Sequence, residues 1–211
     1  VLSWNLVESG KQQGSVNPLS NKFQYNTLIV HFQELKFFTS YTQLGHSPYG
    51  AFSYCSNLEE VDVRNITYSW GGTGASYKNF YGTNIETVIF PKVTKIHQYS
   101  LQSSESSGNT GYVRNPKIYV IGKDFSQILS QYAFCYTYYK KILIYAKTPA
   151  TGAVLANSGT QGTQIFVPDD VYDDYYAAED WAKIKGKLKR LSEYTDEKPW
   201  EELYQEELGL V

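Results

Sequence analysis

One phrase recurs along the chain: Leu58-Glu-Glu-Val61-Asp-Val63, Ile85-Glu-Thr-Val88-Ile-Phe90, Ile118-Tyr-Val120, Ile142-Leu-Ile144 and Ile165-Phe-Val167. Its middle apolar residues are spaced by 27, 30, 24 and 23 residues. Self-similarity at that period marks a solenoid, in which each repeat buries its apolar side only by stacking on its neighbours. Phe32-Gln-Glu-Leu35-Lys-Phe37 has the same spacing and stands first in the series. The expectation is about six short parallel β-strands, near residues 35, 61, 88, 118, 142 and 165, in one sheet with an irregular convex side. An extended surface of this kind points to binding more than to a closed catalytic pocket.

The chain changes character at Pro168. Val171, Tyr175, Ala178, Trp181, Ile184, Leu188 and Leu191 step by three or four, which predicts a helical stripe that Gly186 weakens. Asp169 and Asp170 stand where a helix start favours carboxylates. A second helix is expected from Pro199 to about Leu208, with Trp200, Leu203, Tyr204 and Leu208 on one side. Such helices can close the open end of a stack. The chain therefore divides into an irregular N-terminal cap (1–26), a repeat region (27–168) and a helical cap with an extension (169–211).

The 211 residues suffice for a substantial core, and the charge is unevenly spread. Residues 1–166 hold 13 Lys/Arg against 8 Asp/Glu, and residues 167–211 hold 6 against 13. Neither part has the dense cationic clustering of a nucleic-acid binder, while the mild positive lean of the repeats suits anionic glycans. Twenty tyrosines exceed what a core absorbs, because each phenol needs a partner or water at its tip. No apolar run approaches a membrane span, so no membrane insertion is expected. Val1 to Lys11 has no signal-peptide pattern, and the absence of Met implies a processed or excised chain.

Cys55 and Cys135 lie about three repeats apart, on the order of 14 Å at the usual strand spacing, too far for a disulfide. His31, His46 and His97 have no metal-ligand spacing. The Asp169, Asp170, Asp173, Asp174 cluster lacks the alternating ligands and glycine of a calcium loop. Gly71-Gly-Thr-Gly74 lacks the lysine and helix of a phosphate loop, and Asn65-Ile-Thr67 fits a glycosylation acceptor. No catalytic set, metal site or cofactor is expected.

Several segments resemble the BspA-like bacterial leucine-rich repeat family. Ala51-Phe52-x-x-Cys55-x-x-Leu58-x-x-Val61-x-Val63 is similar to its repeat consensus, and Phe80 to Pro91 follows it with one deletion. Val93-Thr-Lys-Ile96 resembles its inter-strand phrase, and Ala133-Phe134 leads into the fifth strand in the same way. Ala146-Lys-Thr-Pro149, the run from Ile165 through Pro168 to Ala178, Trp181 and Leu191-Ser-Glu-Tyr194 look like its closing repeat and helix. The resemblance covers roughly residues 32–194. It implies a leucine-rich repeat solenoid on an extracellular, cell or virion surface, with adhesion to host proteins or glycans and no conserved catalytic set.

Residues flanking the middle apolar position should face outward. One outward ladder reads Glu34, Glu60, Thr87, Lys117, Lys141, Gln164; the other reads Lys36, Asp62, Ile89, Tyr119, Leu143, Phe166. Four adjacent apolar side chains on a sheet face need a cover. A ligand gives a binding site built on Ile89, Lys117, Tyr119, Lys141, Leu143 and Phe166; otherwise a loop or neighbouring subunit must lie there. The leading expectation is a non-enzymatic adhesion module for a glycan or protein. The alternatives are an assembly component of a virion or surface layer, whose homo-oligomer buries the ladder, and a targeting domain of a larger secreted protein.

Overall fold

The computed structural model describes residues 18–19, 23–37, 39, 41–45, 50–69, 79–97, 100–101, 116–134, 140–152 and 162–211. The β-branched phrases form four-residue strands, β6 (Thr87–Phe90), β8 (Ile118–Ile121), β10 (Lys141–Ile144) and β11 (Gln164–Val167). A three-residue strand, β12 (Leu188–Arg190), joins them in one parallel sheet of order β12-β11-β10-β8-β6. A parallel pair, β2 (His31–Phe32) and β4 (Glu60–Val61), carries the two earlier phrases.

A second set of two-residue strands alternates with these along the chain. β1 (Pro18–Leu19), β3 (Gln43–Leu44), β5 (Tyr68–Ser69), β7 (Lys95–Ile96) and β9 (Gln127–Ile128) form another all-parallel sheet in that order. A parallel bridge from Gln127 to Thr151 continues it. A hydroxyl residue, Thr42, Thr67, Thr94 or Ser126, immediately precedes each strand of this sheet from β3 on. The amides of Thr67, Thr94, Ser126 and Thr151 donate to the carbonyls of Thr42, Thr67, Thr94 and Ser126 at 2.8–3.0 Å. Each hydroxyl reaches the same carbonyl at 3.1–3.4 Å.

A third recurrence joins the passes at their turns. Phe23, Phe52 and Phe80 stack with centroids 5.2 and 5.8 Å apart and rings within 8° of parallel. Two residues on, Tyr25, Tyr54 and Gly82 all take left-handed φ values of 62°, 62° and 71°, a conformation that costs most residues about 1 kcal/mol or more. The Tyr25 and Tyr54 amides donate to Ser53 and Tyr81 one pass ahead, at 2.9 and 2.6 Å. Phe23–Asn26, at the end of the expected cap, thus makes the same turn as the two passes that follow.

Four expectations need correction. The strands do not lie in one sheet beside an irregular side: β2 and β4 pair apart from the large sheet, and the short runs between the phrases hydrogen-bond to one another as the second sheet. A strand is expected around Leu35, but Gln33–Phe37 forms a 3₁₀ turn that buries Leu35, and Phe32 takes the strand position opposite Val61. The physical reason is the Phe32 ring, which packs edge-on against Phe23 at 4.9 Å. Glu34 and Lys36 therefore leave the outward ladders. In β8 the register is shifted by one: Tyr119 pairs with Val88 and Ile142, and Val120 pairs with Ile89 and Leu143. Tyr119 consequently points into the core, where its ring lies parallel to that of Phe90 at 6.5 Å.

The expected stripe helix is broken into pieces. A 3₁₀ turn (Asp169–Val171) leads into α1 (Tyr172–Ala177), which stops at extended Ala178; a 3₁₀ segment (Glu179–Lys187) then delivers the chain to β12. Tyr175 and Trp181 still face the core, donating to the carbonyls of Ala146 and Ala150, both at 2.9 Å. The last helix forms as α2 (Pro199–Leu203) and α3 (Gln205–Leu208), divided at Tyr204 and ended by Gly209 at φ 71°. These pieces lie across the outward face of the large sheet, where Trp200, Tyr204 and Leu208 join Val120, Leu143 and Phe166 in one buried cluster. Trp70–Gly74, the Ser103–Gly111 loop, His46, Cys135 and residues 1–17 of the N-terminal cap lie outside the described residues.

Cys55 is buried, unpaired, and donates its thiol to the Phe23 carbonyl at 2.7 Å. Burial pushes its pKa from 9.0 up to about 11. Between those values the native thiol keeps a proton that the unfolded chain has released, so native stability must fall as pH rises through the window. The loss is on the order of 2 kcal/mol, and comparing urea unfolding at pH 8.5 and 11 in wild type and Cys55→Ala isolates it. A glycine pair provides a second check. A Cβ on Gly122 would sit 1.9 Å from the Pro91 carbonyl oxygen and 2.9 Å from that of Glu207, whereas one on Gly186 meets nothing within 4 Å. Gly122→Ala should cost about 2 kcal/mol or more by overpacking. Gly186→Ala should cost nothing and gain up to about 1 kcal/mol, both read by thermal unfolding.

Candidate functional site

Side chains of the large sheet alternate between two clusters. Val88, Tyr119, Ile142, Ile165 and Leu188 point inward with Phe90, Ile121, Ile144 and Val167. Val120, Leu143 and Phe166 point outward, with Ile89 and Ile118 packed beside them. The expected apolar ladder exists, with Val120 in place of Tyr119, but it is not exposed: Leu143 is 0 % and Phe166 3 % accessible. Its cover is the chain's own C-terminal segment.

That cover is held by polar as well as apolar contacts. The Tyr145 hydroxyl donates to Glu201 Oε1 at 2.6 Å and accepts from Trp200 Nε1 at 3.0 Å. Lys141 Nζ pairs with Asp196 at 2.5 Å and lies 5.1 Å from the centre of the Tyr194 ring, whose edge meets Phe166. The Lys123 amide donates to the Glu207 carbonyl at 2.9 Å. Arg64, bound to buried Asp62 at 2.6 Å, lies 5.5 Å from the centre of the Tyr204 ring. Burial, with the nearby Glu201 carboxylate, drives the Tyr145 phenol far above its ordinary pKa, so it stays a neutral donor.

The six expected site residues are thus dispersed. Tyr119 is in the main core; Leu143 and Phe166 are under the tail; Ile89 is partly buried at its edge. Lys141 is tied to the tail, and Lys117 lies on the surface with Glu86 at 2.8 Å. Tyr145, Trp200, Tyr204 and Leu208 carry the face instead. Trp200, Tyr204 and Leu208 signalled this by recurring every fourth residue, and the acidic tail matched the basic repeats.

Where the tail ends, a cleft of about 460 Å³ opens beyond the C-terminal ends of β8 and β10. Lys123, Asp124, Phe125 and Ser126 line one side, Tyr145, Lys147 and Thr148 another, and Leu208 and Gly209 the third. Its two ammonium groups are paired at the surface, Lys123 with Asp124 at 3.2 Å and Lys147 with Asp170 at 2.8 Å. Such exposed pairs are worth about 0–1 kcal/mol each, so either ammonium can exchange its carboxylate for that of a ligand. Ser126 and Thr148 stand alongside.

Other polar groups have structural partners. Asp169 accepts from the Ser192 amide at 3.0 Å and hydroxyl at 2.5 Å, which holds its pKa below the ordinary value, and Asp173 meets Arg190 at 3.5 Å. Asn65 donates its side-chain amide to the Lys36 carbonyl at 2.6 Å. His31 faces Glu60 at 3.4 Å on the surface. Among the described residues, no three His, Cys, Asp or Glu side chains gather as a metal set, and no helix is long and apolar enough to cross a membrane.

Compared with protein-family models, with curated proteins and with solved structures, the chain matches none.

Tyr145→Phe should strand the buried Trp200 indole N–H and free Glu201. The expected loss is about 1–3 kcal/mol of stability, measured by urea unfolding, with a shift in Trp200 fluorescence marking a loosened tail.

Proposed function

We propose that the chain is a leucine-rich repeat solenoid of the BspA-like type, acting as a non-enzymatic binding module on a cell or virion surface. Support for the architecture comes from two parallel ladders that alternate along the chain, with a phenylalanine turn recurring at 29 and 28 residues. The binding site in this reading is the cleft, because the middle of the sheet face is already covered. The observation that carries it is the grouping of Lys123 and Lys147 with Ser126 and Thr148 around about 460 Å³. Clefts of about 300–1,000 Å³ suit small ligands and terminal sugar units.

The ligand class that fits is an acidic glycan. Its carboxylate replaces Asp124 or Asp170 on a lysine, and its hydroxyls meet those of Ser126 and Thr148. Lys147, 65 % exposed, contributes little to folding, so its removal separates binding from stability.

A panel of acidic and neutral glycans tests this. The full chain should bind carboxylate-bearing sugars and lose at least about tenfold in affinity in Lys147→Ala and in Lys123→Ala, about 1.4 kcal/mol each, at unchanged melting temperature. Binding should weaken as salt rises. Equal binding of neutral sugars, or indifference to both substitutions, would contradict the reading.

A further inference from the structure

We propose that the outward sheet face is a receptor for the C-terminal helix of this protein, and that a second copy can supply that helix in exchange for the chain's own. Trp200, Tyr204 and Leu208 stand one turn apart and are all buried on the face. An amphipathic helix laid in an apolar groove by anchors at this spacing is a standard mode of peptide recognition. Here the occupant is visible, so its chemistry is known: aromatic anchors on one side and carboxylates on the other.

The way the tail is attached favours exchange. Upstream of it, Ser192 is pinned by both of its bonds to Asp169, and the Tyr194 amide donates to Leu191. From Thr195 to Lys198 the chain has no regular structure, and Thr195, Asp196 and Glu197 are exposed. The helix then docks through a cluster distinct from the main core. Lifting residues 199–211 therefore opens the outward face and leaves the inward core closed.

The opened face has a strong need for cover. Val120, Leu143 and Phe166 would form an apolar row, and Lys92 and Arg64 would lose Glu207 and Tyr204. An identical tail from a second copy restores every one of these contacts. Reciprocal exchange of identical elements is a low-cost route to a dimer. The intramolecular tail holds an advantage set by its effective concentration, of about millimolar order for a short connector, so the exchanged form needs high concentration or a shortened connector.

Two measurements on the full chain decide this. Removing Asp196 and Glu197 shortens the connector's reach by about 7 Å, and the resulting chain should double in mass by light scattering, returning to monomer when Trp200→Ala is added. In the second, a labelled peptide of residues 198–211 is titrated into full-length Trp200→Ala. It should bind at least tenfold more tightly than to wild type, and a peptide carrying the same Trp200→Ala change should not bind. Leu208→Ala replaces Trp200→Ala in both roles if the latter does not fold. A monomeric shortened chain, or a peptide that fails to discriminate between the two full-length chains, would overturn the proposal.

Discussion

A parallel sheet whose strands are apolar at nearly every position has two faces to take out of water, and this constraint organises the molecule. The inward face is closed by the passes themselves, through the second sheet, the phenylalanine stack and the Tyr175–Trp181 pair. Among the described residues of 27–168, the outward face has no such partner. It is closed by the last residues of the chain, which would otherwise have little reason to be helical, since pieces of five and four residues do not hold together alone in water.

Charge follows the same division. The repeats carry the excess of Lys and Arg and the closing segment the excess of Asp and Glu, and the two meet at Lys141–Asp196, Lys147–Asp170 and Lys92–Glu207. Each pair is near the surface and weak. Their joint effect is orientation: the tail lies with its acids toward the lysine rim and its aromatic side on the sheet. Tyr145 links the two chemistries, since its ring belongs to the apolar cluster while its hydroxyl joins Glu201 to Trp200.

Much of this was legible in the sequence, though unevenly. The phrases around Val88, Ile142 and Ile165 declare buried parallel strands, because apolar residues occupy both faces. The phrase at Ile118 misleads by one residue: a tyrosine beside a lysine reads as an outward pair, yet the ring lies beside Phe90 inside the core. Leu35 misleads because its spacing imitates a strand while Phe32 packs better against Phe23. The second sheet, with its Thr67, Thr94 and Ser126 hydroxyls, was not legible, since two-residue strands leave little periodicity to read. The outward face was correctly marked as needing a cover. That the tail supplies it depends on contacts more than 50 residues apart in sequence, such as Tyr145–Glu201, which no local pattern encodes.

Amide hydrogen exchange over residues 199–211 tests this account most directly. The amides of Tyr204 and Leu208, bonded to the carbonyls of Trp200 and Tyr204, and that of Lys123, bonded to Glu207, should exchange at least about a hundredfold more slowly than in an unstructured chain. Exchange of all three near the unstructured rate would mean that the tail does not rest on the sheet, and that something else must cover its outward face.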